Sequence, residues 1–352
     1  MLPLSRRATL AGLGGLALAA PATRRILAAD QRATQRGVLY EAARKEGGLT
    51  WYIAQVDTET AERMGRAFGE KYPGLRVSVI RTTGQVAYER LMQDLKNNAP
   101  QCDVFSSTDI AQYPALKARG ALAEYRPEGA EGMLAQAKAT ADPGFYYPSA
   151  LISHLMIYNT ARVKAEDAPK AWTDLLDPRW KGRVATGHPA FSGCTGVWVV
   201  ALRKLYGWSY FERLAKNNPR VGRSGNDPVT LVNAAECLVG PAPSGTAFQQ
   251  VDKGNPIQPV YPTDGATLCV GPSAVIARAP HPNAARLFQD WLISEDYARL
   301  SVANHNDPVW PGLTPSSGQK TLDQIPLLSL TVQEVAKGIP EVIEQWRDTF
   351  GG

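Results

Sequence analysis

The residues best placed to do chemistry in this chain are small and polar, and they gather in short segments. Ser192-Gly193-Cys194-Thr195-Gly196 opens an apolar run. Its small side chains leave backbone N–H groups approachable, and a helix start carries partial positive charge, so the segment suits an anion. The competing role is a plain helix cap. Arg223-Ser224-Gly225-Asn226 is a second such loop, in which Arg223 could grip a carboxylate or phosphate with two parallel hydrogen bonds. Three more polar groups recur upstream: Gln55 with Asp57; Arg81, Thr82 and Thr83; and Ser106, Ser107, Thr108 and Asp109. Ser244 and Tyr261 complete the set, the tyrosine flanking a proline-rich turn with Asp264, where it could stack on a ligand ring or close over it. This is the chemistry of capture. The chain has no Gly-x-Ser-x-Gly elbow, no Walker loop and no His-Glu-x-x-His. His154, His188, His281 and His305 are scattered without an evident nucleophile beside them. Neither a cofactor site nor metal-ligand spacing is seen.

These loops fall where alternating elements would put them. A helix over Gly37–Glu46 precedes a buried strand, Leu49–Ala54. Thr58–Tyr72 has helical spacing, with Ala61, Met64, Ala67 and Phe68 on one face, and Pro73-Gly74 ends it. Leu75–Ile80 reads as a strand, Val86–Asn98 as a helix and Cys102–Phe105 as a strand. That alternation predicts parallel pairing with right-handed crossovers. Ligands then gather at the carboxyl ends of the strands, which is where Gln55, Thr83 and Ser106–Thr108 stand. The second half repeats the theme. Leu151–Asn159 reads as extended, Trp172 begins a short helix, and Val184–Thr186 is a short strand. Gly196–Tyr206 and Thr230–Glu236 are helices, and Cys237–Gly240 is a strand. Thr267–Ala277 is a long apolar strand, followed by helices over Pro282–Leu292 and Pro340–Phe350.

The whole chain sets the frame. Its 352 residues are comfortable for two lobes, and 44% hydrophobic with 20% charged residues is the balance of a globular protein. The net charge of +5 owes four units to Arg6, Arg7, Arg24 and Arg25, which have no acid among residues 1–29, so the rest carries about +1. A chain so close to neutral gives no reason to expect nucleic acid as a partner. Ser5-Arg6-Arg7-Ala8-Thr9-Leu10 and the short apolar stretch after it read as a twin-arginine export signal over residues 1–29. Cleavage after Ala22 fits the small residues there, and a cut after Ala29 is also open. No later run is long enough to span a membrane. Of Cys102, Cys194, Cys237 and Cys269, the best candidate disulfide pair is Cys237 with Cys269, against a reading of four buried thiols.

Several runs resemble one family. Asp103-Val104-Phe105 and then Leu116–Leu122 resemble the first lobe of type II periplasmic binding proteins. Ala171-Trp172-Thr173-Asp174-Leu175-Leu176-Asp177-Pro178-Arg179-Trp180-Lys181-Gly182 is similar to a run of the ferric-binding subgroup of solute-binding proteins, as is Pro280–Leu292 to the helix opening that family's last section. The resemblance implies an α/β fold of two lobes joined by crossover strands at Leu151–Asn159 and Thr267–Ala277. Lobe one is then residues 30–150 with 271–352, and lobe two residues 151–270. It also implies a periplasmic binder that delivers a small ligand to the permease of an ABC importer, and an anion held near Ser192–Thr195. The subgroup's metal-ligating tyrosine pair would follow the Cys237–Gly240 strand, where this chain has Pro241-Ala242-Pro243-Ser244-Gly245. Tyr146-Tyr147 lies elsewhere. Iron is therefore not expected, nor any other metal; the expectation for the ligand is a carboxylate, phosphonate or phosphorylated compound, whose identity the sequence does not give. The alternatives on this fold are a ferric carrier and a ligand-sensing partner of a membrane receptor.

Overall fold

The computed structural model describes residues 34–316 and 318–351. The export signal read over residues 1–29 lies outside them.

Residues 34–46 form α1. It leads into β1 (Gly48–Ile53), α2 (Thr58–Lys71), β2 (Arg76–Arg81), α3 (Gly84–Lys96) and β3 (Val104–Ser106). Asp57 starts α2 by accepting from the Thr60 N–H at 2.8 Å, and Ala61, Met64 and Phe68 are buried along one face. β1 pairs in parallel with both β2 and β3, as the alternation predicts. Two short helices follow, α4 (Gln112–Ala118) and α5 (Ala135–Lys138).

The molecule then passes through β4 (Tyr147–Asn159), which is buried at every position. Burial on both faces explains its nearly continuous apolar run. Beyond it come β5 (Ala185–Gly187), α6 (Gly193–Tyr206), α7 (Ser209–Lys216), β6 (Arg220–Gly222), α8 (Asp227–Asn233), β7 (Val239–Pro243), α9 (Ser244–Asp252) and β8 (Ile257–Val260). The return strand is β9 (Ala266–Val275), followed by α10 (Pro282–Leu292), α11 (Glu295–Ala303), β10 (Leu327–Leu328) and α12 (Val332–Phe350).

One curled sheet runs β2-β1-β3-β9-β4-β7, with β10 added at β9 and β8 at β4. β4 and β9 are the two crossovers. They lie side by side and antiparallel, Ile152 opposite Cys269, and carry the sheet from one half to the other. β5 and β6 form a small parallel sheet, bridged to β7 through Val184 and Val239. A chain of buried hydroxyls ties the first half to the crossovers. Trp51 Nε1 donates to Ser106 Oγ at 2.8 Å, Ser106 meets Ser273 at 2.6 Å, and Ser273 meets Ser149 at 2.7 Å.

Two expectations change. The segment from Trp172 is a 3₁₀ turn, held where Asp174 accepts from the N–H groups of Lys170 and Ala171 and stopped by Pro178. The last helix starts at Val332, eight residues before Pro340, because Thr331 and Glu334 form a capping box. It packs on α6, where Gly338 meets Val200 and Gly196 meets Ile339, and the absence of side chains at both glycines lets the helices approach. Trp208 Nε1 also donates to Thr349 at 3.0 Å. The C-terminus thus rests on the second half of the chain.

Candidate functional site

The carboxyl ends of β1, β2 and β3 open onto one cleft, which encloses about 620 Å³ of space, part of it continuous with solvent. On this wall Gln55 is fixed twice: its amide donates to the Pro272 carbonyl at 2.8 Å and accepts from Ser149 at 3.1 Å. Asp57 is committed to α2, its two oxygens holding the Thr60 N–H and hydroxyl at 2.8 and 2.9 Å. Arg81 is placed by its Nε, which donates to the Val56 carbonyl at 2.9 Å. Its terminal nitrogens have no hydrogen bond or ion pair among the described residues. Burial lowers its pKa, while the carboxylates of Asp57 and Asp227 act the other way. Next to it, Thr83 precedes α3 without capping it, and its buried hydroxyl has no partner among the described residues.

The facing wall comes from α6, α8, α9 and the segment after α11. Ser192 caps α6, its hydroxyl accepting from the Thr195 N–H at 3.3 Å. Gly193 sits against the other wall: a Cβ there would lie 2.1 Å from the Thr108 carbonyl oxygen. The cleft is therefore closed at this point. Asn226 accepts from the Thr246 hydroxyl at 2.9 Å. Gly245, Thr246 and Gln249 bring the first turns of α9 to the cavity, and Asn304 and Asn306 bring the segment beyond α11. That segment is held firmly. Asp307 accepts from the Ser153 N–H and hydroxyl, both at 2.6 Å, and burial pushes its pKa up to about 6. His305 meets Asp252 at 2.6 Å and stacks on Phe248.

The disulfide is a correction. Cys269 bonds Cys194, and Cys237 is a free buried thiol, as is Cys102. Cys237 instead packs with Ile157, Ala185 and Val229. The observed bridge ties the first turn of α6 to crossover β9, Cα atoms 5.1 Å apart across 75 residues of sequence. Strand content in the second half says nothing about which helix start β9 passes.

Of the candidates read from sequence, Gln55, Asp57, Arg81, Thr83, Thr108, Ser192, Cys194, Ser224, Gly225 and Asn226 line the cavity together. Ser106 and Ser107 are fully buried behind it, Ser106 in the hydroxyl chain and Ser107 with its N–H donating to Tyr113 at 2.8 Å. Gly193, Thr195 and Ser244 sit just off the lining, and the buried hydroxyls of Thr195 and Ser244 have no partner among the described residues. Arg223 and Tyr261 do not line the cavity. Arg223 is exposed and lies over the Phe191 ring at 4.7 Å. The Tyr261 hydroxyl accepts from the Lys320 N–H at 3.0 Å. Sequence reasoning missed Phe191, Thr246, Gln249, Asn304 and Asn306. The available signal was Asn304-His305-Asn306-Asp307, four polar residues directly after an amphipathic helix, all of them buried.

Among the described residues no group of three or more His, Cys, Asp or Glu is arranged to hold a metal ion. The site can surround a small solute with hydrogen bonds and one cation, between halves joined by two strands. Those are the features of a two-lobed binding protein of the type II periplasmic fold. The chain belongs to the bacterial extracellular solute-binding proteins, whose family model matches residues 99–337. It is a binder of solutes outside the cytoplasm, not an enzyme. It is similar to a putative 2-aminoethylphosphonate-binding periplasmic protein of Salmonella typhimurium, 27% identical over 289 residues and 77% of each chain. A probable ABC transporter periplasmic-binding protein of Sinorhizobium fredii is 22% identical over 68% of this chain and 69% of its own. Among solved structures, the periplasmic binding protein AfuA from Actinobacillus pleuropneumoniae, with fructose-6-phosphate bound, superposes with a TM-score of 0.78. It is 21% identical, with 86% of this chain and 98% of that one covered, and it speaks to the fold alone.

Proposed function

We propose that this protein captures a small anionic organic solute, a carboxylate, phosphonate or phosphorylated compound, and hands it to the permease of an ABC importer in the inner membrane. Its compartment is the periplasm, reached through the twin-arginine translocase that reads Arg6 and Arg7. Residues 30–150 and 151–270, with the later chain shared between them, form the lobes that close on the solute about β4 and β9.

The observation that carries this reading is Arg81. Its guanidinium lines a cavity that otherwise presents one carboxylate, already committed to a helix start, and uncharged groups. A half-buried cation with its terminal donors open is matched by an acceptor-rich anion. Thr83 and the uncapped start of α3 add donors beside it. The names of the relatives support an ABC-linked role and an anionic cargo. The segment ending β7, Ala242-Pro243 before Ser244, supports an organic cargo over iron, since it holds no tyrosine.

Native mass spectrometry of protein purified from its own periplasm is expected to show a bound organic anion. Arg81→Ala should fold, as its melting curve will show, and bind that anion roughly 10- to 100-fold more weakly in calorimetric titration, the range for losing a charge-assisted hydrogen bond. An uncharged co-purified solute, or an Arg81→Ala variant that binds as tightly as the parent, would overturn the reading.

A further inference from the structure

We infer that the solute is hydroxylated away from its anionic group, and that the amides of Asn306, Gln249 and Asn226 recognise those hydroxyls in preference to an ammonium. This deepens the anionic-solute reading and rests on it.

The inference starts from the balance of groups on the cavity wall. Five side-chain amides and five hydroxyls line it, against one guanidinium and one carboxylate. Hydroxyl groups donate and accept, and so do amides, which makes the two natural partners. Buried polar groups are expected to be hydrogen-bonded, so those left open toward the cavity indicate what the solute must offer.

Three amides keep such open capacity. Asn306 is 4% exposed, and its amide has one partner, the Ser301 hydroxyl at 3.1 Å. Its other polar atom has none among the described residues and lies 3.1 Å from where a Cβ of Gly245 would be, at the start of α9. Gln249 points its NH₂ at the Asn304 carbonyl, 3.4 Å away, which turns its oxygen free. Asn226 meets the Thr246 hydroxyl with one end of its amide and, among the described residues, has nothing on the other. Since their fixed partners are hydroxyls, the Asn306 and Asn226 amides can face the cavity as donor or acceptor. A solute hydroxyl satisfies either arrangement. An ammonium satisfies only acceptors, and it also needs a negative charge once desolvated.

That charge is missing from the amide-bearing wall. The single carboxylate lining the cavity is Asp57, on the opposite wall, with both oxygens holding Thr60 and with Arg81 among its neighbours. An ammonium reaching Asp57 would share the space with the guanidinium. Asp227, near the cleft, does not line it, and one of its oxygens accepts from the Ser224 N–H at 2.9 Å. Asp307 faces Ser153 on β4 and does not line the cavity.

Calorimetric titration with two probes of the same length and the same anionic group tests this directly: 2-hydroxyethylphosphonate and 2-aminoethylphosphonate, with methylphosphonate as the head-group control and glycerol 3-phosphate as a probe with two hydroxyls. The expected order places glycerol 3-phosphate first and 2-hydroxyethylphosphonate at least about tenfold tighter than 2-aminoethylphosphonate. Asn306→Ala should cost glycerol 3-phosphate about tenfold more than it costs methylphosphonate. Should that buried substitution disturb folding, Gln249→Leu on half-buried α9 takes its place. Asn306→Asp should narrow or reverse the preference by supplying the missing carboxylate. If 2-aminoethylphosphonate binds as tightly as its hydroxyl twin, or tighter, the inference is overturned while the anion reading stands. If no phosphonate or phosphate binds, methylphosphonate included, while an uncharged solute does, both fall together.

Discussion

The wall built at the ends of β1, β2 and β3 carries the charges of the cleft, in Asp57 and Arg81, whereas the wall built by α6, α8 and α9 lines it with no charged side chain at all. The helix starts differ in the same sense. α6 is closed by its own Ser192 hydroxyl, while α3 begins at an uncapped Thr83 whose buried hydroxyl has no partner among the described residues. A helix start can hold an anion only through donors it has not already used. The contrast teaches that the first wall is equipped to hold charge and the second to match shape and hydroxyl pattern. A site divided in this way becomes complete only when the walls meet, which couples full recognition to closure.

The largest effect should come from cutting the tie that fixes the second wall. Replacing Cys194 and Cys269 together by Ser should lower stability by about 2–4 kcal/mol, as expected for opening a long disulfide-closed loop. A denaturant titration reads this, and an unchanged midpoint would mean that packing of Ala150 and Ile152 around the bridge already holds α6 to β9. The walls themselves can be wedged apart at Gly193. Gly193→Ala puts a Cβ 2.1 Å from the Thr108 carbonyl oxygen of the facing wall. The closed form should lose about 1–3 kcal/mol, the usual cost of overpacking, so glycerol 3-phosphate should bind roughly 5- to 150-fold more weakly. Small-angle scattering should show a more open molecule. Full affinity in that variant would show that the walls need not touch there. The smallest and sharpest test pairs the two helix starts. Thr83→Ala should weaken anion binding by about 0.5–1.5 kcal/mol with little change in melting temperature. Ser192→Ala should do the reverse, costing about 1 kcal/mol of stability with little change in binding. The opposite pattern would move the anion to α6.

Much of this comparison was legible before the fold was known. Alternating periods of apolar residues placed β1, α2, β2, α3 and β3, and the carboxyl-end rule then selected loops of which Gln55, Thr83 and Thr108 line the cleft. The same rule cannot say which polar residue faces forward. Ser106 and Ser107 stand two and one residues before Thr108 and are buried behind the site, Ser106 drawn into the hydroxyl chain with Trp51 and Ser273 and Ser107 held against Tyr113. Arg223 looked like an anion grip because its type and loop were right, but its side chain turned outward onto Phe191. The better cation, Arg81, stood in the sequence as one of three polar residues after a strand, and only the fold sets it in the cleft with its terminal nitrogens open.

What the sequence determined by itself is the set of local elements and the family frame, because helix caps, strand periodicity and the Trp172–Gly182 run depend on residues near one another in the chain. What only the tertiary structure decided is which distant segments meet: Cys194 with Cys269, Gly193 with Thr108, and Asn304–Asp307 with α9 and β4. Those meetings depend on how two antiparallel crossovers bring the halves together. Local propensity does not encode the direction in which a strand returns through the sheet, and a one-residue change of register would give every side chain on it a different neighbour.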